Sequence, residues 1–61
     1  MGELHNYVQK ILGKPVLVVA GDDNEGIIVH DIKQNLYVVT PKFSIIGVTR
    51  SNALNVLHSW S

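Results

Sequence analysis

Asp31 and Asn35 are the two polar residues whose types and spacing most call for a chemical explanation. They lie four residues apart in the segment DIKQN, between the apolar runs GIIV and LYVV. Both residue types hydrogen-bond turns well, but a plain hairpin turn does not need the pair. The segment is therefore either a polar turn or one half of a binding site.

The sequence contains none of the arrangements that would predict an enzyme. No nucleophile–base pair, paired carboxylates or phosphate-cradling glycine loop is recognisable. Cysteine is absent, which excludes disulfides and thiolate metal sites. His5, His30 and His58 are widely scattered. We therefore expect no catalytic residue, no metal and no cofactor.

The totals describe one small, apolar domain without net charge. A monomer of 61 residues is marginally stable unless disulfides, a metal or oligomerisation help. Oligomerisation is the remaining way to stabilise so small a chain. An apolar content of 46% is compatible with it, because so much apolar surface is hard to bury in one small monomer. Five basic and five acidic residues give zero net charge, so any nucleic-acid site must be local. Neither a signal peptide nor a membrane-length apolar run is recognisable, and we expect a cytoplasmic protein without membrane contact.

Apolar spacing predicts a short helix followed by closely connected strands. The helix, over about residues 3–12, follows from apolar residues at helical spacing, namely Leu4, Tyr7, Val8, Ile11 and Leu12. β-Branched runs between turn residues predict four strands. Their approximate ranges are 15–20, 26–31, 35–40 and 43–49.

The C-terminal segment fits two different elements. A helix capped by Ser51 would carry an apolar face, formed by Ala53, Leu54, Leu57 and Trp60. A fifth strand would instead alternate Leu54 and Val56 with Asn55. Periodicity alone slightly favours the helix, because Leu57 breaks the alternation.

The helix, the strands and two polar segments in this order resemble the Sm and Sm-like family, which includes bacterial Hfq. EGIIVHDIKQNLYVV is similar to the first Sm motif, and IIGVTRSNALNVL is similar to the second. The resemblance covers the chain from Leu4 to about Leu57. It implies a mainly β fold, in which a short N-terminal helix precedes five strongly bent strands of a small β-barrel. The resemblance also favours a fifth strand over 53–58 instead of a C-terminal helix.

The family resemblance further implies assembly into a homo-oligomeric ring. Strand four of one subunit would pair with strand five of the next, in a head-to-tail contact that closes by rotation. Rings of about five to seven subunits are the family's range. The expected interface residues are Phe43, Ile45, Ile46, Val48, Leu54 and Val56.

Single-stranded RNA, U-rich or A/U-rich, is the partner that the resemblance implies, with a role as an RNA chaperone or in RNA processing. Asn35 would read a base edge with its amide, and Arg50 would stack its guanidinium on the base. Asp31 would orient Asn35 or Arg50. Lys33 holds the position of the family's stacking residue, and Ser51 that of its glycine.

The sequence departs from the family pattern at four places. Lys33 has no flat face to stack, and Ser51 replaces a glycine whose position can require an unusual backbone angle. Glu25 falls where the first motif usually has glycine, with Gly26 one residue later, and the loop TPKFS is short. The zero net charge, Lys33 and Ser51 favour an oligomeric protein-interaction scaffold with little RNA affinity. A third possibility is a small helix-plus-sheet inhibitor or regulatory protein, which a helical C-terminus would support.

The same residues also have plain structural explanations. Arg50 can be a solvated charge or part of an inter-subunit salt bridge. Tyr37 and Trp60 could stack on bases, but the sequence favours core or interface packing for both. His30 is expected to have a core or rim role. The acidic turn GDDNE can be solvated, and on a ring face it would repel RNA.

Overall fold

The structure, a computed structural model, describes residues 2–60 as a four-stranded antiparallel sheet between two helices. Helix α1 spans Glu3–Leu12 and helix α2 spans Ala53–Trp60. The strands β1 to β4 span Leu17–Asp22, Gly26–His30, Leu36–Val39 and Ile45–Val48. Their order in the sheet is β1-β2-β3-β4, so each strand pairs with its neighbour in sequence. The predicted mainly β fold with an N-terminal helix is confirmed.

Both faces of the central strands are buried because each helix covers one face. Alternation along β2 directs Ile27 and Val29 towards α1 and Ile28 towards α2. The core on the α1 face comprises Leu4, Val8, Val16, Ile27, Val29 and Val39. The core on the α2 face comprises Ile28, Val38, Ala53 and Leu57. This double burial explains why GIIV and LYVV are continuous apolar runs.

Helix α1 is capped at its N-terminal end by the β1–β2 turn and ends at a glycine. Asp23, in the β1–β2 turn, accepts hydrogen bonds from the backbone N–H groups of Gly2 and Glu3, at 3.1 and 3.2 Å. A carboxylate at this position satisfies free donors and complements the helix dipole. Gly13 ends the helix in the left-handed region, with φ 70°. The acidic turn therefore has a structural role beyond being solvated.

The predicted fifth strand over 53–58 is wrong, because these residues form α2. Ala53 and Leu57 lie one turn apart and pack together onto the sheet. The Asn52 side chain accepts a hydrogen bond from the Thr49 N–H at 2.8 Å, which closes the turn into the helix. In a strand, Ala53 and Leu57 would point to one face and the half-buried Val56 to the other. In the helix, all three belong to the same apolar cluster. The helical spacing of the apolar residues therefore predicted this segment correctly.

The predicted closed barrel is also wrong, because the strand that would close it is helical. Within residues 2–60 the sheet is open, with β1 and β4 as its edges. The residues expected at a ring interface lie on three different elements. Phe43 packs edge-on against Tyr7, with ring centroids 4.9 Å apart. Ile45, Ile46 and Val48 are half-buried in β4, Val56 is half-buried in α2, and Leu54 is 59% exposed.

Candidate functional site

The two segments singled out in the sequence meet in one cleft. Strands β3 and β4 are antiparallel, with Leu36 opposite Val48 and Tyr37 opposite Gly47. The start of β3 and the end of β4 therefore lie side by side, which brings DIKQN next to TRSN. The resulting cleft has a volume of about 450 Å³. We call it the motif cleft; its lining residues are Gln34, Asn35, Leu36, Tyr37, Gly47, Val48, Thr49, Arg50 and Asn52.

Asp31 is the buried centre of the loop beside this cleft. Only 2% of the residue is exposed. Its Oδ1 atom accepts the backbone N–H groups of Lys33 and Asn35, at 2.9 and 3.0 Å. Its Oδ2 atom accepts hydrogen bonds from the Lys14 ammonium at 2.8 Å, the Asn35 amide at 3.2 Å and the Tyr37 hydroxyl at 3.4 Å. Asp31 therefore organises the loop and does not face a ligand.

The charge of Asp31 is stabilised where it lies. The hydrogen bond from Lys14 is the main reason that the pKa of Asp31 falls well below its ordinary value of 3.8. The backbone N–H and the amide of Asn35 lower this pKa further, while burial opposes them. The same ion pair raises the pKa of Lys14 above 10.5. Asp31 is therefore an anion at neutral pH, and Lys14 is its counter-ion.

An ionised Asp31 also decides how the Asn35 amide is oriented. A carboxylate only accepts hydrogen bonds, so the NH₂ group of Asn35 must point towards Asp31. The carbonyl oxygen and the second N–H of the exposed Asn35 side chain then remain for a ligand. The expected orienting role of Asp31 towards Asn35 thus has a direct contact behind it.

Three other expected site residues lie on the exposed rim. Arg50 lines the motif cleft, and its guanidinium makes no hydrogen bond or ion pair to any residue of 2–60. Lys33 is exposed in the loop, but it is not among the residues that line the cleft. Ser51 accepts or donates a hydrogen bond with the Thr49 hydroxyl at 3.0 Å. Its φ angle is not positive, so the serine causes no backbone strain at the expected glycine position.

Tyr37 and Gly47 form a part of the cleft that sequence reasoning did not assign to the site. They are cross-strand partners on the α1 face of the sheet. A Cβ atom added at Gly47 would meet nothing within 4 Å. Position 47, directly opposite the half-buried Tyr37, therefore carries no side chain and has open space around it. A glycine inside a predicted strand was the signal, because such a glycine often marks a place where a ligand approaches closely.

The meander separates the charges that cancel in the total. One end, which we call the basic end, carries the β2–β3 loop, the end of α1 and the end of β4. Its charged residues are Lys10, Lys14, Lys33, Arg50 and the buried Asp31. The opposite, acidic end carries the β1–β2 turn, the start of α1 and the β3–β4 hairpin. Its charged residues are Glu3, Asp22, Asp23, Glu25 and Lys42.

A second cavity, of about 440 Å³, opens on the α2 face beside β1. We call it the edge cavity. It is mostly apolar and is lined by Val19, Ala20, Ile28, His30, Gln34, Leu36, Arg50, Ala53 and Leu54. Its apolar rim at Val19 and Leu54 is exposed.

Comparisons with known proteins add no assignment. The chain matches no protein-family model, and neither a curated protein nor a solved structure is significantly similar to it. No helix among residues 2–60 is long and apolar enough to cross a lipid bilayer. The function must therefore be argued from the geometry described above.

Proposed function

We propose that the motif cleft binds a base of single-stranded RNA, with a preference for uracil, as the resemblance to Sm-like proteins implies. One observation carries the proposal. Asn35 and Arg50 lie 15 positions apart in the sequence, yet they line the same cleft at the exposed basic end. An oriented amide, and a guanidinium without a partner among residues 2–60, in the lining of one cleft are a suitable combination for reading and stacking one base.

Base selectivity in this proposal comes from Asn35. With one N–H held by Asp31, the amide offers a carbonyl acceptor and a second N–H donor. The uracil edge presents an imino N–H next to a carbonyl oxygen, so it can satisfy both groups at once. The adenine edge carries the reverse arrangement, an acceptor ring nitrogen next to an exocyclic amino donor, so an amide held in one orientation does not pair with both bases in the same pose. We therefore expect U-rich RNA to bind more tightly than A-rich RNA.

Stacking in this proposal comes from Arg50 and Tyr37, and not from position 33. Lys33 has no flat face and lies outside the cleft lining. The Tyr37 ring borders the open space that Gly47 leaves, so a flat base can enter beside it. Base–aromatic stacking contributes about 1–3 kcal/mol per base. A tyrosine in this place can offset the loss of a stacking residue at position 33.

Charge separation supports the same location. The zero net charge argues against a general affinity for nucleic acid, but the basic end is locally positive. Asp31, the one acid at that end, is buried and paired with Lys14. Lys33 and Arg50 remain exposed for the phosphates that flank a bound base. RNA is expected to avoid the opposite end, where Glu3, Asp22, Asp23 and Glu25 gather.

The family's ring is not part of this proposal. A helix followed by an antiparallel meander agrees with the family order as far as strand four. The ring contact needs a fifth strand, and that segment is α2. The cleft, by contrast, is built within one chain and needs no neighbouring subunit.

The proposal is tested by fluorescence anisotropy of labelled oligo-U and oligo-A over a range of salt concentrations. We expect oligo-U to bind more tightly, and log K to fall by about 0.7 per log unit of salt for each phosphate contact. Arg50→Lys keeps the charge but loses the stacking plane. It should weaken oligo-U while leaving the salt slope nearly unchanged. Equal binding of both oligomers that vanishes at moderate salt would contradict a base-reading cleft.

A protein-interaction scaffold with little RNA affinity is the second candidate function. It is favoured by the exposed apolar side chains along β1, among them Leu17 and Val19, and by Leu54 on α2. Such a surface is more typical of a protein contact than of an RNA contact. This candidate predicts self-association or partner binding without any base preference.

A further inference from the structure

We infer that two copies of this chain form a twofold dimer in which their β1 strands pair antiparallel across the open edge of the sheet. The inference does not depend on RNA binding. It starts from the backbone of β1, whose outer side has no strand next to it within residues 2–60. Its peptide groups on that side are available to a second strand.

The β1 edge lacks most of the features by which proteins discourage strand pairing. Leu17, Val18 and Val19 are 65%, 43% and 53% exposed. No lysine, no other charged residue and no proline occurs from position 16 to position 21. The one guarding feature is the irregularity between Val18 and Ala20, where the register to β2 shifts. Pairing centred on Val18 would cover all three exposed side chains.

The edge cavity extends the same apolar surface onto the α2 face. Val19 lines it from β1 and Leu54 lines it from α2. Leu17 points to the same face, because its partner His30 and the next α2-face residue Ile28 both border this cavity. In an antiparallel dimer, Leu17 of the second copy would lie beside Val19 and Leu54 of the first. The apolar rim would thus be covered by its own counterpart.

Charge separation is compatible with antiparallel β1–β1 pairing, and the charged residues nearest the ends of β4 disfavour the other edge combinations. Strand β1 runs from the basic end to the acidic end. Two antiparallel β1 strands therefore place the basic end of each copy beside the acidic end of the other, on both sides of the axis. Strand β4 has a basic residue near each end, Lys42 and Arg50. Pairing β4 with β4 or with β1 would place like charges together at one end at least.

A second copy is thus the occupant that both the apolar pattern and the charge pattern fit. A twofold contact of this kind is self-complementary and closes at two subunits. It also supplies the stabilisation that a small chain without disulfides needs. The motif cleft shares Gln34, Leu36 and Arg50 with the edge cavity, but its other lining residues lie on the β3–β4 side, away from the β1 edge that the dimer covers.

The experiment is sedimentation velocity of the whole chain over a wide concentration range, with wild type and two variants. Wild type should show a monomer–dimer equilibrium, with no species beyond twice the chain mass of 6.7 kDa. Val18→Lys puts a charge at the centre of the β1 edge and should leave only monomer. Gly47→Lys is the matched control, because position 47 lies on the same sheet face at the β4 edge. It should dimerise like wild type. Circular dichroism of each variant verifies that it is folded.

A charge-reversal pair provides a second readout that does not depend on the core of the interface. Glu25→Lys and Lys33→Glu should each weaken the dimer a few-fold, and the double variant should restore it at low salt. A wild type that stays monomeric at the highest concentrations would overturn the inference. So would closed species larger than a dimer, or a folded Val18→Lys variant that still dimerises while Gly47→Lys does not.

Discussion

Tyr37 lies directly opposite Gly47 across β3 and β4, and the space above the glycine is empty. The two residues are paired in the strand register, and an added Cβ at Gly47 would have no neighbour within 4 Å. Strand β4 thus has no side chain at the position opposite Tyr37, and both residues line the motif cleft. A glycine in a strand interior lowers the free energy of unfolding by about 0.5–1 kcal/mol relative to alanine. This position therefore reduces stability but leaves room for a ligand to approach the strand.

Gly47→Val should therefore change stability and RNA binding in opposite directions. The β-branched side chain suits a strand and meets no clash, so the free energy of unfolding should rise by about 0.5–1 kcal/mol. The same side chain would cover Tyr37, and oligo-U affinity should fall about tenfold, the loss expected from one stacking contact. Urea unfolding and fluorescence anisotropy measure the two effects.

Gly47→Ala is the graded control for that substitution. Its single Cβ covers less of Tyr37, so the loss of affinity should be smaller than for valine. Equal oligo-U binding by all three proteins would show that bases do not enter beside Tyr37.

Gln34 and Phe43 hold the same backbone conformation in two similar hairpin loops, yet we expect glycine to affect them differently. Their φ angles are 66° and 63°, a region that side chains other than glycine rarely adopt. Gln34→Gly should raise the free energy of unfolding by about 1 kcal/mol by relieving strain. Phe43→Gly relieves similar strain but loses the contact with Tyr7, which contributes about 0.5–1.5 kcal/mol beyond its buried area.

Phe43→Gly should consequently bring no gain in stability, and Phe43→Ala should be the least stable of the three variants. Urea unfolding at neutral pH ranks them. A Gln34→Gly protein less stable than wild type would mean that the loop is not strained.

Gly26, the glycine displaced by one position from the family pattern, should not tolerate a side chain. Its φ is 109°, and an added Cβ would lie 2.9 Å from a methyl group of Leu57 and 3.0 Å from the Val39 carbonyl oxygen. Gly26→Ala should lower the free energy of unfolding by about 2–3 kcal/mol, through backbone strain and displacement of α2. Gly13→Ala is the comparison, because Gly13 also has a positive φ but open space around it. Similar losses at both positions would contradict the packing argument.

The Lys14–Asp31 ion pair should make the stability of the chain sensitive to acid. The pKa of Asp31 is lower in the folded chain than its ordinary value of 3.8, so the unfolded chain takes up the proton first. The stabilisation is fully present above that value and is lost as pH falls below it. Lys14→Met removes the principal cause of the lowered pKa, so stability should fall less between neutral pH and about pH 3 than in wild type.

Urea unfolding of both proteins at the two pH values gives this difference directly, because the other carboxylates are common to both. An equal acid-induced loss in wild type and Lys14→Met would show that the ion pair does not stabilise the fold.

The elements that local pattern determines could be predicted, and the element assigned by resemblance could not. The range predicted for α1 coincides with Glu3–Leu12, and the four predicted strands overlap those observed. At the C-terminus, the spacing of Ala53 and Leu57 favoured a helix, but the family resemblance led to the prediction of a strand. The bulge in β1 shifts that strand to Leu17–Asp22, a detail that depends on its pairing with β2.

Whether the expected residues form a binding site stays a prediction, but their relative placement can be compared with the expectation. Asn35 and Arg50 were expected to act together, and they do line one cleft. Lys14 was not expected at Asp31, because the two are 17 residues apart and only the packing of α1 brings them together. Tyr37 and Gly47 needed the register of β3 and β4, which alternation within either strand does not specify.

The central claim is that Asn35, oriented by Asp31, reads the edge of a base. The most direct test is to titrate labelled oligo-U and oligo-A with wild type and with Asn35→Ala. Asn24→Ala is the matched control, because it makes the same change in the turn at the acidic end. We predict that wild type and Asn24→Ala prefer oligo-U, and that Asn35→Ala binds both oligomers equally and more weakly. A preference that survives Asn35→Ala, or no preference in wild type, would contradict the claim.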